Sequence, residues 1–509
     1  MEGTVGVDGG LVRGLESDGV WAFLGVPYAR APVGGLRWRP PAPPEPWRGV
    51  RDAFAPGPLA PQAVAAPGSL LPGDPQHQSE DCLHLSVWTP ALDDARRPVM
   101  VWIHGGGYTS GSAGNVLYRG ALLARRRDVV VVSVNYRLGA LGFLAHPALE
   151  TDDHEGFANW GLLDQIAALR WVRDHVARFG GDPGNVTVFG ESAGAMSILS
   201  MLAMPAARGL FRRVIIESGP PYVHTPERAE VAARALARAL GLASLDRPSL
   251  EKLPPAALVD AVSAVQRATL RPGELPLPFL PVVDGKTMPV APFEAARDDA
   301  ASVEVLIGTN RDEIAFFQMS DPAMATLDED GLLRRIAHSA PASRPGDVVA
   351  AYRAVRRRRG EPVTPRDVWI AVASDLVFRW PSLRLAAARR SSGGRVFVYL
   401  FTWESPVLGG AFGACHALEI PFVFGTVRDP AVAAIAGSGL RAVELSEEIQ
   451  AAWTAFARAG DPSNPRTGPW PTWEPARRPT MMLGPTVGVQ DAPRDEELAT
   501  WEALFPLDE

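Results

Sequence analysis

Cysteine is scarce: Cys82 and Cys415 are the only two in a chain of 509 residues. Two thiols make no disulfide scaffold, and no CxxC pair spells out a structural zinc site. Lysine is scarce as well, since all but Lys252 and Lys286 of the 50 basic residues are arginine. The arginines are spread along the chain, with one dense cluster, 356–359, that closes a helix-like stretch just before Gly360. Cations and then a glycine suit a helix C-terminus. With no aromatic residues interleaved, the cluster reads as a solvated helix end and not as a phosphate or nucleic-acid patch. A strong charge of one sign is missing too. Fifty basic residues against 57 acidic ones leave a net charge of −7, too mild a field to gather nucleic acid or anionic lipid. The longest uncharged, mostly apolar stretch, 192–207, is too short to cross a bilayer and contains Gly194 and Pro205. The first ten residues have neither the basic region nor the apolar core of a signal peptide. These absences lead us to expect a soluble, cytoplasmic protein with no membrane or nucleic-acid partner, working as a monomer or homodimer.

What is present is ordinary globular composition, 47% hydrophobic and 21% charged, in a chain long enough to bury a large core. Residues 4–7, 10–14 and 20–24 read as short antiparallel strands between Gly and Pro turns. Residues 83–88, 98–103 and 129–134 follow as strands, the last two apolar on both faces, as strands covered by helices on both sides are. A helical pattern over 161–179, a strand at 186–189, a helix at 192–204 and a strand at 214–217 continue the alternation. Further strands are expected at 303–307 and 396–401, and a helix at 444–460, ahead of a Trp/Pro-rich tail with Trp470 and Trp473. Strands alternating with helices imply an α/β fold around a mostly parallel sheet. The stretches 220–300 and 320–394 read as mainly helical insertions roofing the site. No internal repeat interrupts this, and residues 1–509 are read as one catalytic domain.

Gly190-Glu191-Ser192-Ala193-Gly194 matches the pattern G-x-S-x-G. In a chain with 49 glycines the pattern alone is weak; its place between a buried strand and a helix gives it meaning. A serine on that sharp turn projects its Oγ at the top of the sheet, beside a helix N-terminus that favours developing negative charge. His104-Gly105-Gly106-Gly107-Tyr108 follows an earlier strand and offers bare backbone N–H groups to an oxyanion. Neither G-x-G-x-x-G nor a Walker lysine supports a nucleotide site instead. The serine needs a base, and the base an orienting carboxylate. Of the nine histidines, only His338 and His416 come late enough. His338 falls inside a helical run at 331–340, whereas His416 follows the 396–401 strand in a loop. Glu313 is the leading acid, with Asp312, Asp284 and Glu404 as competitors. The acidic stretch 151–155 reads as a solvated loop, since no second ligand group is spaced to complete a metal site. No metal or cofactor is expected.

Together these stretches resemble the type B carboxylesterases, cholinesterase-like α/β hydrolases that include the bacterial para-nitrobenzyl esterases. The likeness rests on Phe23-Leu24-Gly25-Val26-Pro27-Tyr28-Ala29, Ser79-Glu80-Asp81-Cys82-Leu83, Trp102-Ile103-His104-Gly105-Gly106-Gly107, Gly161-Leu162-Leu163-Asp164-Gln165, the elbow itself, Gly308-Thr309-Asn310-Arg311-Asp312-Glu313 and His416-Ala417-Leu418-Glu419-Ile420-Pro421-Phe422. The resemblance implies an α/β-hydrolase fold and hydrolysis of neutral, small-to-medium carboxylic esters through an acyl-enzyme. Ser192 would be the nucleophile, Glu313 the acid and His416 the base. Gly106, Gly107 and Ala193 would supply the oxyanion hole, with Glu191 and Ser218 in support. The pocket is expected to draw on Tyr108, Phe279, Leu280, Phe316 and Phe317, each of which reads equally as core. An amidase or lactonase would use the same machinery, and this fold also hosts non-catalytic interaction proteins. One departure stands out. The family often pairs the cysteine of the Ser-Glu-Asp-Cys motif in a disulfide, but Leu59-Ala60-Pro61-Gln62 occupies the partner's place, so Cys82 is expected to be free and the 60–79 loop unstapled.

Overall fold

A computed structural model of the protein describes residues 3–64, 76–151, 156–270, 275–298, 303–317 and 321–507. An eleven-stranded sheet runs through it. Its parallel part passes from Pro479–Leu483 through Val396–Phe401, Glu304–Asn310, Arg213–Glu217, Gly181–Glu191 and Arg97–Ile103 to Val130–Val134. Antiparallel strands flank it, with His84–Thr89, Val20–Pro27 and Leu15–Ser17 on one side and Val487–Asp491 on the other. Thr4–Val7, Gly10–Arg13 and Val50–Asp52 form a separate small sheet.

The central strands are valine- and isoleucine-rich and buried along their whole length. β-branched side chains pack well on a pleated surface, and with both faces covered no polar alternation is needed. Val99, Val101 and Ile103 stand in register with Val130, Val132 and Val134, which fixes the middle of the core. The helices Trp160–His175, Ala193–Leu202, Trp380–Ser391 and Leu440–Ala459 fall between successive strands. One contiguous buried cluster links side chains from Val5 to Leu507.

The expected elements occur with shifted ends. The 161–179 helix is Trp160–His175 followed by a 3-10 turn, Val176–Phe179, and stops where Gly180 takes a φ of 77°. The short 186–189 strand grows into Gly181–Glu191. Expectation differs from structure in two places. The tail adds the hairpin Pro479–Leu483 and Val487–Asp491 to the sheet edge, where the Trp/Pro-rich surroundings had hidden a strand signal. The arginine cluster does end a helix, Pro345–Arg358, before Gly360 at φ 71°, but it is not wholly solvated. Arg356 is buried and pairs with Glu361 at 3.1 Å, while Arg358 and Arg359 reach Glu496 and Glu497 at 2.7 Å. The cluster therefore fastens the C-terminal helix Asp495–Glu502.

Within 220–300 the described residues form Pro226–Ala239, Arg247–Glu251, Pro255–Thr269 and Pro292–Asp298, and within 320–394 they form Glu329–Ser339, Pro345–Arg358, Pro365–Ser374 and Trp380–Ser391. A π-helical turn, Asp375–Arg379, joins the last two; such turns are rare and recur at functional sites. Among the described residues no helix is long and apolar enough to cross a membrane.

Both cysteines are free and buried. Residues 65–75 of the loop that lacks a disulfide lie outside the described residues, but its base is held otherwise. Leu59 N–H donates to His77 O and Ser79 N–H to Leu59 O, each at 2.9 Å. Gln62 exchanges two side-chain hydrogen bonds with the backbone of Gly111, at 3.0 and 2.8 Å. Burial raises both thiols, Cys415 to about 12 and Cys82 beyond it, so neither is a thiolate near neutrality. Thiol titration without reductant should therefore find two reactive groups after unfolding and almost none in the native protein. A bridged pair, or a cysteine that reacts at once in the folded state, would contradict this.

Candidate active site

The parallel strands end on one edge, and the chemistry gathers there, as ligand sites do at the carboxyl ends of such strands. The strand Gly181–Glu191 runs into Ser192, which takes φ 54° and ψ −122° before the helix Ala193–Leu202 begins. A non-glycine residue at positive φ costs on the order of 1–3 kcal/mol and must be held by its surroundings. Two hydrogen bonds hold it. Ser192 N–H donates to Glu217 O, and Ser192 O accepts from Met196 N–H, both at 2.9 Å. The glycine at 194 is required by close approach, since a Cβ there would stand 2.0 Å from the Ile103 carbonyl oxygen.

The His104–Tyr108 loop lies directly against this turn. A Cβ on Gly105 would meet Glu191 Oε2 at 2.7 Å and Ser192 Cβ at 3.2 Å. Gly106 and Gly107 have φ of 106° and 60°, and the Gly106 carbonyl closes the turn by accepting from the N–H groups of Thr109 and Ser110 at 3.0 Å. Among the described residues, the N–H groups of Gly106, Gly107 and Ala193 donate to no protein acceptor. Three unpaired donors beside a serine are what a developing oxyanion needs.

His416 follows the strand Val396–Phe401 in a loop, buried to 5% exposure, and its Nδ1 is 2.6 Å from Glu313 Oε2. Glu313 is fully buried, and its Oε1 accepts the Asn310 N–H at 2.7 Å. The competing acids stand elsewhere. Asp312 accepts from Arg311 and from the Ala414 N–H at 2.9 Å. Asp284 accepts the backbone N–H groups of Lys286 and Met288 at 3.0 and 2.9 Å, and Glu404 lies exposed on Arg311. His338 is exposed on the helix Glu329–Ser339.

The other imidazole nitrogen, Nε2, lies 3.0 Å from Glu191 Oε1, near but not aligned as a hydrogen bond. Burial alone would lower the His416 pKa, yet the charges of Glu191 and Glu313 outweigh it and raise the imidazole well above its ordinary value. Ser218, just after the neighbouring strand, also takes a positive φ, 52°, with its N–H on Gly308 O at 2.9 Å.

The five candidate pocket residues divide. The rings of Phe316 and Phe317 sit 6.1 and 5.1 Å from the imidazole. Tyr108 is fully buried in the core, its ring 4.5 Å from Phe143 and its hydroxyl 3.5 Å from Ser197 Oγ. Phe279 and Leu280 are buried in the same core cluster; nearby Leu277 instead reaches the glycine loop, 3.1 Å from where a Gly107 Cβ would be. Three contributors went unassigned on sequence. Phe378, on the π-helical turn, packs 5.0 Å from the imidazole. Asn310 holds Glu313 through its backbone and Cys415 O, at 2.7 Å, through its side chain. Glu419 accepts from the same Asn310 amide. The last two lie inside the Asn310–Glu313 and His416–Phe422 motifs, but no local pattern says that they touch. Among the described residues no group of acidic, His and Cys side chains fits a metal ion; residues 152–155 of the acidic stretch lie outside them.

The profile of the carboxylesterase family matches residues 2–501. The chain is 38% identical over 508 residues to the para-nitrobenzyl esterase of Bacillus subtilis (strain 168), covering 98% of this chain and 97% of that one. It is 39% identical over 492 residues to the phenmedipham hydrolase of Pseudarthrobacter oxydans, covering 93% and 94%. Among solved structures, the carboxylesterase EST55 of Geobacillus stearothermophilus superposes with a TM-score of 0.85 at 37% identity, over 98% of this chain and all of that one. With this geometry and these relatives, the chain belongs to the carboxylesterase family and is a carboxylic ester hydrolase with an α/β-hydrolase fold.

Proposed function

We propose that Ser192, His416 and Glu313 form the catalytic triad of a serine esterase, and that Gly106, Gly107 and Ala193 form its oxyanion hole. The observation that carries this is the buried 2.6 Å contact between Glu313 and His416 Nδ1, on the sheet edge where the strained Ser192 turn stands. Nε2 takes the Ser192 proton as Oγ attacks the ester carbonyl. The three N–H groups receive the oxyanion, and each such donor is worth about 3 kcal/mol in the transition state. His416 then protonates the leaving alcohol. In the second half-reaction it deprotonates a water that attacks the acyl-enzyme, and the collapse returns the proton to Ser192. Glu313 keeps the imidazole in the required tautomer throughout, while Glu191 and Ser218 support the geometry.

The core cluster that spans from Val5 to Leu507 supports one catalytic unit, with the 220–300 and 320–394 stretches walling the pocket through Leu277 and Phe378. We extend the reading to a cytoplasmic enzyme acting alone or as a homodimer.

Ser192→Ala should cost roughly a million-fold in ester turnover while the protein folds normally, and an organophosphate or sulfonyl fluoride should label Ser192. Glu313→Gln should cost about ten-thousand-fold, as loss of the tautomer-setting carboxylate does; Asp312→Asn should cost far less. Label on another residue, or the reverse order of the two acid variants, would overturn the assignment.

The pocket reading concerns substrate. Phe316, Phe317 and Phe378 wrap the imidazole in apolar surface, which favours neutral acyl and aryl groups and penalises charged ones. The glycine loop itself puts no side chain beside the scissile carbonyl, where Leu277 is the apolar neighbour. A panel of esters, amides and lactones should show para-nitrophenyl acetate or butyrate turned over well ahead of the palmitate, with measurable hydrolysis of a tertiary-alcohol acetate. A preference for long-chain esters at an oil–water interface would refute the pocket reading, and dominant amide or lactone cleavage would replace it.

A further inference from the structure

Two glutamates lie against one imidazole, and two more are buried close to those two. Glu313 is bonded to His416 Nδ1 and Glu191 lies 3.0 Å from Nε2. Glu217 and Glu419 are as deeply buried, at 0% and 1% exposure. Among the described residues neither forms an ion pair with an arginine, lysine or histidine.

Glu217 is the last residue of the strand Arg213–Glu217, and its register partner on the adjacent parallel strand is Glu191. Register partners project from the same face of a sheet, so these two carboxyl groups are neighbours by construction. Trp453 Nε1 donates to Glu217 Oε1 at 2.7 Å. The other oxygen, Oε2, is buried with no hydrogen-bond partner, and so are Glu191 Oε1, Glu419 Oε1 and Asn310 Oδ1. The groups around Glu217 are Glu191 from one neighbouring strand, Glu419 from the loop, Ser218 next in the chain, and Tyr399 and Trp453, whose rings pack on each other at 5.2 Å. The Tyr399 hydroxyl and Ser218 Oγ are also buried without a partner, but both are neutral and bring no cation. An ionised Glu217 would therefore be a buried, uncompensated charge, whereas a carboxylic acid carries none.

We infer that Glu217 is a neutral carboxylic acid in the resting enzyme, a positioning residue whose O–H donates toward the Glu191 and Glu419 oxygens and withholds a further negative charge from His416. Electrostatics agree. Burial first, then the charges of Glu419 and Glu191, push the Glu217 carboxyl well above the usual range, against the opposing Trp453 N–H. Glu419 is raised to about 8, chiefly by burial and then by Glu191 and Glu313. With Glu217 neutral, the charges that raise the imidazole are those of Glu191 and Glu313.

The role rests on the proposed triad; the protonation state does not, and it is read without turnover. Infrared difference spectra of the full chain should show the carbonyl stretch of a protonated carboxyl, downshifted in heavy water. At about pH 9, where Glu419 with its ordinary titration width is mostly ionised, the remaining band should vanish in Glu217→Gln and persist in Ser192→Ala. In kinetics, the acid limb of kcat/KM for Glu217→Gln should stay within about 0.3 pH unit of wild type, while Glu191→Gln lowers it by about one unit or more. A wild type without the band, a band that survives Glu217→Gln, or an acid limb that falls as far as in Glu191→Gln would each overturn the inference. Should Glu217→Gln fail to fold, Trp453→Phe decides: the band must remain but shift, because its carbonyl has lost a donor, and an unmoved band sinks the assignment.

Discussion

A buried imidazole among buried carboxylates is the constraint on which this site depends. Charge taken out of water must find a partner or lose its charge, and each solution here ties together distant parts of the chain. Glu313 binds the imidazole. Asn310 binds Glu313 through its backbone, and through one amide it binds the residue before His416 and the glutamate three residues after it. Glu313 and His416, more than a hundred residues apart in sequence, are thus clamped from one strand end. Asn310 touches Glu313 directly and holds the loop that carries His416.

The strain at Ser192 is held in a similar shared way. Ser192 and Ser218 follow adjacent parallel strands at positive φ, 54° and 52°. Each N–H donates to the carbonyl of the next strand over, Ser192 to Glu217 and Ser218 to Gly308. Side by side, each residue is stabilised by the regular ladder of its neighbour, which is how a sheet imposes an unfavourable backbone on a residue that must stand proud of it.

The apolar side of the site comes from farther away. Phe378 reaches the imidazole from the π-helical turn Asp375–Arg379. That turn is anchored through Tyr352, whose hydroxyl donates to Asp375 and accepts from Trp501 Nε1, each at 2.7 Å. Burial raises Asp375 to about 6, against the opposing charge of Arg379. Trp501 lies on the helix that Arg358 and Arg359 fasten by ion pairs. The wall of the pocket is therefore continuous with the C-terminal helix, by buried contacts and not by sequence proximity.

Much of this was legible in the sequence, because it depends on local rules. Valine runs without polar alternation specify covered strands wherever they lie, and a serine between small residues after such a strand specifies a sharp turn. The glycine loop and the order of serine, acid and histidine follow from the same reading. Where several candidates satisfied the local rule, sequence could not choose by itself. Asp312 and Glu313 are adjacent acids of similar chemistry, and only the loop's path turns one to the imidazole and the other to Ala414. Tyr108 and Phe316 are both aromatic residues beside motifs, yet one fills the core and the other faces His416. No local pattern singled out Phe378, Asn310 or Glu217, since each is defined by a partner far along the chain: His416 for Phe378, Cys415 for Asn310 and Trp453 for Glu217. Local propensity and hydrophobic pattern determine which elements form. Which side chains end up sharing a dry pocket is a property of how those elements pack, and there the balance of buried charge is decided.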